Sequence, residues 1–151
     1  MNDVNGRTRI PGTVAYRLGV LGAISENRFA TAIAPLDLKP KHVGLLAALE
    51  SAQGLSQQEL ATRLGVVPSL VVALADHLEK LDAIRRERDP ADRRRQTLVL
   101  TDVGRALLTR CEREAAALDR ALTAQLTAAQ LSALDEVLSL LAAEAGMPSP
   151  R

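Results

Sequence analysis

The chain has 151 residues, 47% of them apolar and 25% charged, and a net charge of +1; that is the size and balance of one globular domain with a core of its own. One Phe, one Tyr and no Trp exclude nucleic-acid binding by stacking bases on aromatic platforms. The lone cysteine, Cys111, excludes an internal disulfide. With no apolar run long enough to span a bilayer and no basic-then-apolar leader, the chain reads as cytoplasmic, with no membrane partner.

Residues 1–10 are polar and read as a flexible tail, as do 147–151. From Pro11 a helical pattern begins, with Val14, Leu18, Leu21 and Ala32 on one stripe, Tyr16, Ile24 and Phe29 beside it, and Pro35 as its stop. A second helix opens at Pro40, carries Val43, Leu45, Leu46 and Leu49, and closes at Gly54. Ser56-Gln57-Gln58-Glu59 is a capping box, in which the Ser hydroxyl takes the N–H three residues on and the Glu carboxylate reaches back. The helix it starts runs through Leu60, Ala61 and Leu64 to Gly65, and Pro68 opens another over 69–81. Two short helices joined by a tight Gly-containing turn form a helix-turn-helix; an ordinary helical hairpin has the same outline.

Residues 84–88 and 93–100 then read as two strands around an acidic-Pro turn, Asp89-Pro90-Ala91-Asp92. From Arg85 to Arg95 there are six arginines against three acids, a local charge of +3, so the rest of the chain carries −2. A solvated hairpin whose arginines pair with its own acids would have this composition. Placed directly after a helix-turn-helix, the hairpin reads as a basic wing set against phosphate.

After Thr101, which caps a helix through Leu107, Leu108, Cys111, Ala115, Leu118 and Leu122, the chain turns acidic: residues 112–147 hold two arginines and six acids. A second capping signal, Thr127-Ala128-Ala129-Gln130, starts a last helix with Leu131, Leu134, Val137, Leu138 and Leu141. The fold class is therefore mainly α: a winged helix-turn-helix with a two-stranded β wing over 40–101, and terminal helices, 11–36 and 103–146, forming a dimerisation region. Their apolar stripes are too broad for one small winged domain to cover, which predicts a homodimer.

Asp89-Pro90-Ala91-Asp92-Arg93-Arg94, followed by Leu100-Thr101-Asp102-Val103-Gly104, is similar to the wing and exit signature of the MarR family of bacterial transcription regulators, and Leu60-Ala61, Leu64-Gly65-Val66 and Leu78-Glu79-Lys80-Leu81 resemble its helix-turn-helix. The resemblance covers nearly the whole chain. It implies a symmetric homodimer that binds a palindromic double-stranded DNA operator, represses, and is released by a small lipophilic or phenolic effector.

The expected DNA contacts are Gln57 and Ser69 near helix starts, Val72, Ala73 and His77 on the recognition helix, and Arg86, Arg88, Arg93, Arg94 and Arg95 on the wing. Hydroxyl and Arg side chains common in the family are replaced here by Leu70, Val72 and Ala73, so bidentate reading of bases from the front of that helix is excluded. Asp76 would repel phosphate unless a wing arginine neutralises it. Arg94 is the expected partner, with Asp92 competing with Asp76 for it, and Asp76 and Asp92 are the residues expected to orient the wing. An effector cleft is expected between the first two helices and the start of the helix after Thr101, touching Asn27, His42, Leu46 and Cys111. Cys111 reads as packing, and His77 as a phosphate contact or a partly buried polar group. No catalytic constellation stands out, and His42, His77 and Cys111 are too scattered for a metal; no enzyme activity and no cofactor are expected. The competing reading is a winged-helix dimer that works mainly as a protein-interaction module with weak DNA affinity.

Overall fold

The computed structural model describes residues 9–147. The chain divides into two compact units, Met1–Ala115 and Ala116–Arg151. Of the two expected tails, residues 1–8 and 148–151 lie outside the described residues.

In the first unit, helix α1 (Val14–Ile33) starts three residues later than Pro11 predicts. Pro11 belongs to a single 3-10 turn, Ile10–Gly12, and Thr13 takes the cap instead: its hydroxyl accepts the Tyr16 N–H at 3.2 Å. Pro35 ends the helix within a second 3-10 turn, Ala34–Leu36, and Asp37 follows with a left-handed φ of 57°. Helix α2 (Pro40–Ser51) comes next, then strand β1 (Leu55–Ser56), helix α3 (Gln57–Leu64) and helix α4 (Pro68–Lys80). The capping box of α3 is formed as its sequence requires, with Glu59 N–H to Ser56 Oγ at 3.2 Å and Ser56 N–H to Glu59 Oε2 at 2.8 Å. Gly65 closes α3 at φ 63°, in the left-handed region where a glycine costs least.

Strands β2 (Ile84–Arg88) and β3 (Gln96–Leu100) pair antiparallel from Ile84↔Leu100 to Arg88↔Gln96. This is the expected two-stranded wing, and a third strand joins its sheet in the order β1-β3-β2, because Leu55 and Ser56 add to the far edge of β3 opposite Leu98 and Thr97. One expectation needs correction. The return strand begins at Gln96 rather than Arg93, because Arg93 to Arg95 are folded into the turn: Asp89 N–H donates to Arg95 O and Arg95 N–H to Asp92 O, both at 2.9 Å.

The core of this unit is aliphatic. Leu45, Leu46, Leu49, Leu60, Val71, Leu78, Ile84, Leu98, Leu100 and Cys111 are all buried within it. Full burial of a Leu or Ile contributes about 1.5–3 kcal/mol relative to exposure, against roughly 0–1 kcal/mol for an exposed ion pair. Leu98 and Leu100, inward on β3, therefore anchor the base of the hairpin more firmly than its surface charges do.

Helix α5 (Asp102–Thr123) is joined to the hairpin through Ala83 and Thr101. Ala83 O accepts the Thr101 N–H at 3.1 Å, while the Thr101 hydroxyl donates to Asp82 O at 2.6 Å and accepts the Gly104 N–H at 3.0 Å. A Cβ on Gly104 would lie 2.0 Å from the Ala83 oxygen, so the joint closes only around a glycine.

The second unit holds the end of α5 and helix α6 (Ala128–Glu144), capped by Thr127 with Gln130 N–H to Thr127 Oγ1 at 3.3 Å. None of the 17 residues of α6 is buried, and its Leu131, Leu134, Leu138, Leu140 and Leu141 stand exposed, as do Val14, Leu18 and Leu21 on α1. Among the described residues no single helix is long and apolar enough to cross a membrane.

Candidate nucleic-acid interface

Helix α4 presents two faces. Val71, Leu74, Ala75 and Leu78 are buried, and Ser69, Val72, Ala73, Asp76 and Lys80 are exposed, the division its 3.6-residue period predicts. Its N-cap, Val67, offers no side-chain acceptor, and Pro68 presets the first turn. The free N–H groups there form the positive end of the helix dipole, a place suited to a phosphate oxygen. Beyond Ser69 the front of the helix is apolar: Val72 and Ala73 can touch a methyl group but cannot donate a hydrogen bond to a base edge.

The six wing arginines fall into two groups. Arg86 is paired with both Asp76 and Glu79 of α4, and its side chain is only 18% exposed. The expected partner of Asp76 was Arg94; the geometry corrects this to Arg86, because β2 leaves α4 so soon that position 86 comes back alongside the helix's acids. Those two carboxylates hold the Arg86 guanidinium above its ordinary pKa. Arg85 pairs with Glu87 on the same strand. Arg95 pairs with Glu59 of the α3 capping box and lies 3.9 Å from Asp89. The hydrogen bond from Arg95, then those from Ser56, lower the Glu59 carboxyl to about 2. Arg88, Arg93 and Arg94 are exposed and have no ion-pair partner among the described residues.

The acids of the turn shape it. Asp89 Oδ1 accepts the Ala91 N–H at 2.8 Å and Asp92 Oδ1 accepts the Arg94 N–H at 3.0 Å. Asp92 thus braces the backbone that carries Arg93 and Arg94 through the Arg94 N–H, and among the described residues it forms no ion pair with the Arg94 guanidinium. Gln57 and Ser69, the two expected phosphate contacts, stand at the starts of α3 and α4. Sequence reasoning missed Glu59 and Glu79 as wing partners: the capping box gave Glu59 a local role, and nothing local signals an arginine 36 residues away.

His77 faces the body of the protein. Its Nε2 donates to the Asp37 carbonyl at 2.7 Å, and its ring stacks on His42 with centroids 4.5 Å apart. His42 is buried and its Nδ1 accepts the Lys39 N–H at 2.9 Å. Burial, and next His77, push its pKa below the ordinary histidine value.

Both rings line an open cavity of about 920 Å³, with Glu26, Ala34, Lys41 and Leu70 among its other walls. Of the four residues expected at an effector cleft, one borders this cavity. His42 lines the cavity, whereas Asn27 does not, and Leu46 and Cys111 are fully buried core residues. The wall opposite α2 comes from α4 and not from α5. Burial pushes the Cys111 thiol up, which removes thiolate reactivity.

Comparison with known proteins agrees with this architecture. A family model described as the MarR family matches residues 36–95. A protein of Thauera aromatica, named for transcriptional regulation of the hcr operon, is 32% identical over 137 residues, 87% of this chain and 82% of that protein. The repressor MdtR of Bacillus subtilis is 40% identical over 65 residues, 43% of this chain and 42% of that one. Among solved structures, the transcriptional repressor CouR bound to a 23-mer DNA duplex is 31% identical with a TM-score of 0.77, covering 90% of this chain and 99% of that one. A Mycobacterium tuberculosis protein of the same family in complex with DNA is 30% identical with a TM-score of 0.74, covering 85% and 97%.

Proposed function

The chain belongs to the MarR family of transcriptional regulators, and from that premise we propose that it works as a homodimer that represses transcription from a palindromic operator until a small ligand releases it. The observation that carries this reading is the set of three arginines without an ion-pair partner among the described residues, Arg88 at the end of β2 and Arg93 and Arg94 on the braced turn, in the same unit as the exposed face of α4. In this reading Arg93 and Arg94 enter a minor groove, where narrow A·T-rich segments concentrate negative potential. Gln57 and Ser69 hold phosphates and set register. Val72 and Ala73 lie against thymine methyls, so the major groove is read with modest discrimination. Arg86 and Arg95 act indirectly, by fixing the wing against α4 and α3.

Repression is favoured by the likeness to CouR, a repressor seen on DNA, and to MdtR, a repressor by name. The dimer is favoured by the bare apolar stripes of α1 and α6, which a second copy would cover. The ligand reading rests on the cavity beside α4: Ala30, Ala34, Leu70 and Leu74 offer an apolar wall, and Lys39, Lys41 and His42 a polar end, which suits a lipophilic body with an acceptor head.

The test is binding of the full-length protein to duplexes selected from a random library and to its own upstream region, followed by fluorescence anisotropy at physiological salt, with sedimentation run in parallel. Sequence-dependent binding by a dimer is expected. The double variant Leu134→Glu, Leu138→Glu should sediment as a monomer and lose the operator. A wild-type monomer at micromolar concentration, or binding that does not distinguish one duplex from another, overturns the reading.

A further inference from the structure

The stacked imidazoles connect three parts of the first unit. His42 is the third residue of α2, and its Nδ1 accepts the N–H of Lys39, the N-cap residue. His77 lies on α4, and its Nε2 holds the carbonyl of Asp37 in the segment between α1 and α2. The rings meet with planes 19° apart. An acceptor at Nδ1 means that a neutral His42 carries its proton on Nε2. That atom has no partner among the described residues, and no buried side-chain nitrogen or oxygen is left unsatisfied, so it reaches the cavity surface.

We propose that the His42–His77 stack is a proton-operated latch on the recognition helix, closed while His42 is neutral and opened by a proton on His42, with loss of DNA binding as the consequence. A proton on Nδ1 turns the acceptor of the Lys39 N–H into a second donor and breaks the bond. It sets a positive charge at the start of α2, the end of a helix that disfavours cations. It also sets that charge against the ring of His77. The other charged groups on the cavity walls are Glu26 from α1, Asp37 and Lys39 from the α1–α2 segment, and Lys41 from α2. Lys39 opposes a charge on His42, and Asp37 favours it more weakly; Asp37 Oδ2 lies 3.5 Å from His77 Nε2, on the His77 side of the pair. Nothing acidic bonds to His42 in exchange.

The lowered His42 pKa agrees with this geometry. A histidine whose pKa is depressed in the closed form favours that form fully above its ordinary value near 6.5. That contribution is lost as pH falls from there through the lowered value. The opened form therefore gains ground in mildly acidic conditions. The effect on DNA rests on the reading of α4 as the DNA-facing helix; the latch itself does not.

Two measurements on the full-length protein test it. The first is a titration from pH 8 to 5 by NMR, following the imidazole nitrogens of both histidines and the methyl signals of Leu70, Ala73 and Leu74. The α4 methyls should move with the His42 titration; methyls that stay still while His42 takes its proton overturn the latch, whatever DNA does. The second is affinity for a duplex selected at pH 7.5, measured against pH for wild type and His42→Asn, whose side-chain oxygen keeps an acceptor near Nδ1 and takes no proton. Wild type should lose severalfold more affinity than His42→Asn between pH 7.5 and 5.5, because only wild type takes up the proton that opens the latch. Coincident profiles for the two proteins overturn the regulatory role. Methyls that follow His42 in a protein that binds no duplex at pH 7.5 support the latch and overturn the DNA reading instead.

Discussion

Replacing Arg86 by Ala separates a structural arginine from a DNA-contacting one. In the wild type the guanidinium sits between Asp76 and Glu79. Its removal leaves two carboxylates bare on a helix that would face phosphate. At roughly 8 Å in water, each carboxylate–phosphate pair costs about 0.5 kcal/mol. Two carboxylates, each facing about two phosphates, therefore give roughly 2 kcal/mol per half-site before screening. A Debye length of about 8 Å at physiological ionic strength trims this about threefold. Over both half-sites of a dimer the loss comes to about 1.5 kcal/mol, close to tenfold in affinity. The assay is anisotropy on the selected operator for a full cycle: wild type, Arg86→Ala, Asp76→Asn with Glu79→Gln, and all three changes together. Neutralising the acids should restore binding in the Arg86→Ala background and change it much less in the wild type, which is coupling between the two sites. Equal gains in both backgrounds, with the salt slope of Arg86→Ala falling by about one unit per protomer, mean that Arg86 touches phosphate itself.

Arg94→Ala should weaken binding to every sequence and flatten the salt dependence by about one unit of slope per lost phosphate contact and protomer, whereas Val72→Ala should cost on the order of 1 kcal/mol and only where a thymine is present; the reverse order of damage in salt-dependent affinity refutes the wing-dominated reading. Gly104→Ala would drive a Cβ to 2.0 Å from the Ala83 carbonyl, and since the helix backbone fixes the Cβ and the oxygen it meets is itself backbone, a loss of about 3 kcal/mol or more is expected in denaturant melts; a variant as stable as wild type shows that the joint is soft. Glu59, lowered to about 2 from an ordinary value near 4.5, contributes stability that is present above about pH 4.5 and lost as pH falls toward 2. Glu59→Gln, which keeps a capping-box acceptor, should flatten the stability-versus-pH curve in that window; an unchanged acid limb refutes the Arg95–Glu59 tie.

What the sequence made legible was local. Capping boxes at Ser56 and Thr127, Pro40 and Pro68 at first helical turns, and the 3.6-residue division of α4 all follow from chemistry within four residues, and the helices appear where those signals stand. The errors come from competition at similar range: Thr13 caps where Pro11 looked sufficient, and Asp92 holds Arg95 in the turn where alternation alone would begin a strand. Strand β1 is two residues long and owes its character to Leu98 and Thr97 of β3, more than forty positions away in the chain, so no window around Leu55 reveals it. The candidate site was legible as a list and not as a network. Composition counted six wing arginines; only the fold shows which of them meet Asp76, Glu79 and Glu59. The meeting of His42 with His77, 35 positions apart, has no sequence signature at all.

The wing turn reaches any partner with its shape already decided. Four hydrogen bonds within Asp89 to Arg95, two between backbone groups and two from backbone N–H to aspartate oxygens, fix the loop that carries Arg93 and Arg94. Ordering one residue's backbone costs roughly 1–2 kcal/mol, so a floppy loop of this length would forfeit much of what its arginines gain on contact. Here that entropy is settled during folding. The two aspartates look like waste in a basic element, since each cancels a charge. They act as a mould: the wing gives up net charge and in return is a rigid template, which in the proposed reading could dock at the first well-oriented collision instead of searching for its own conformation on the DNA.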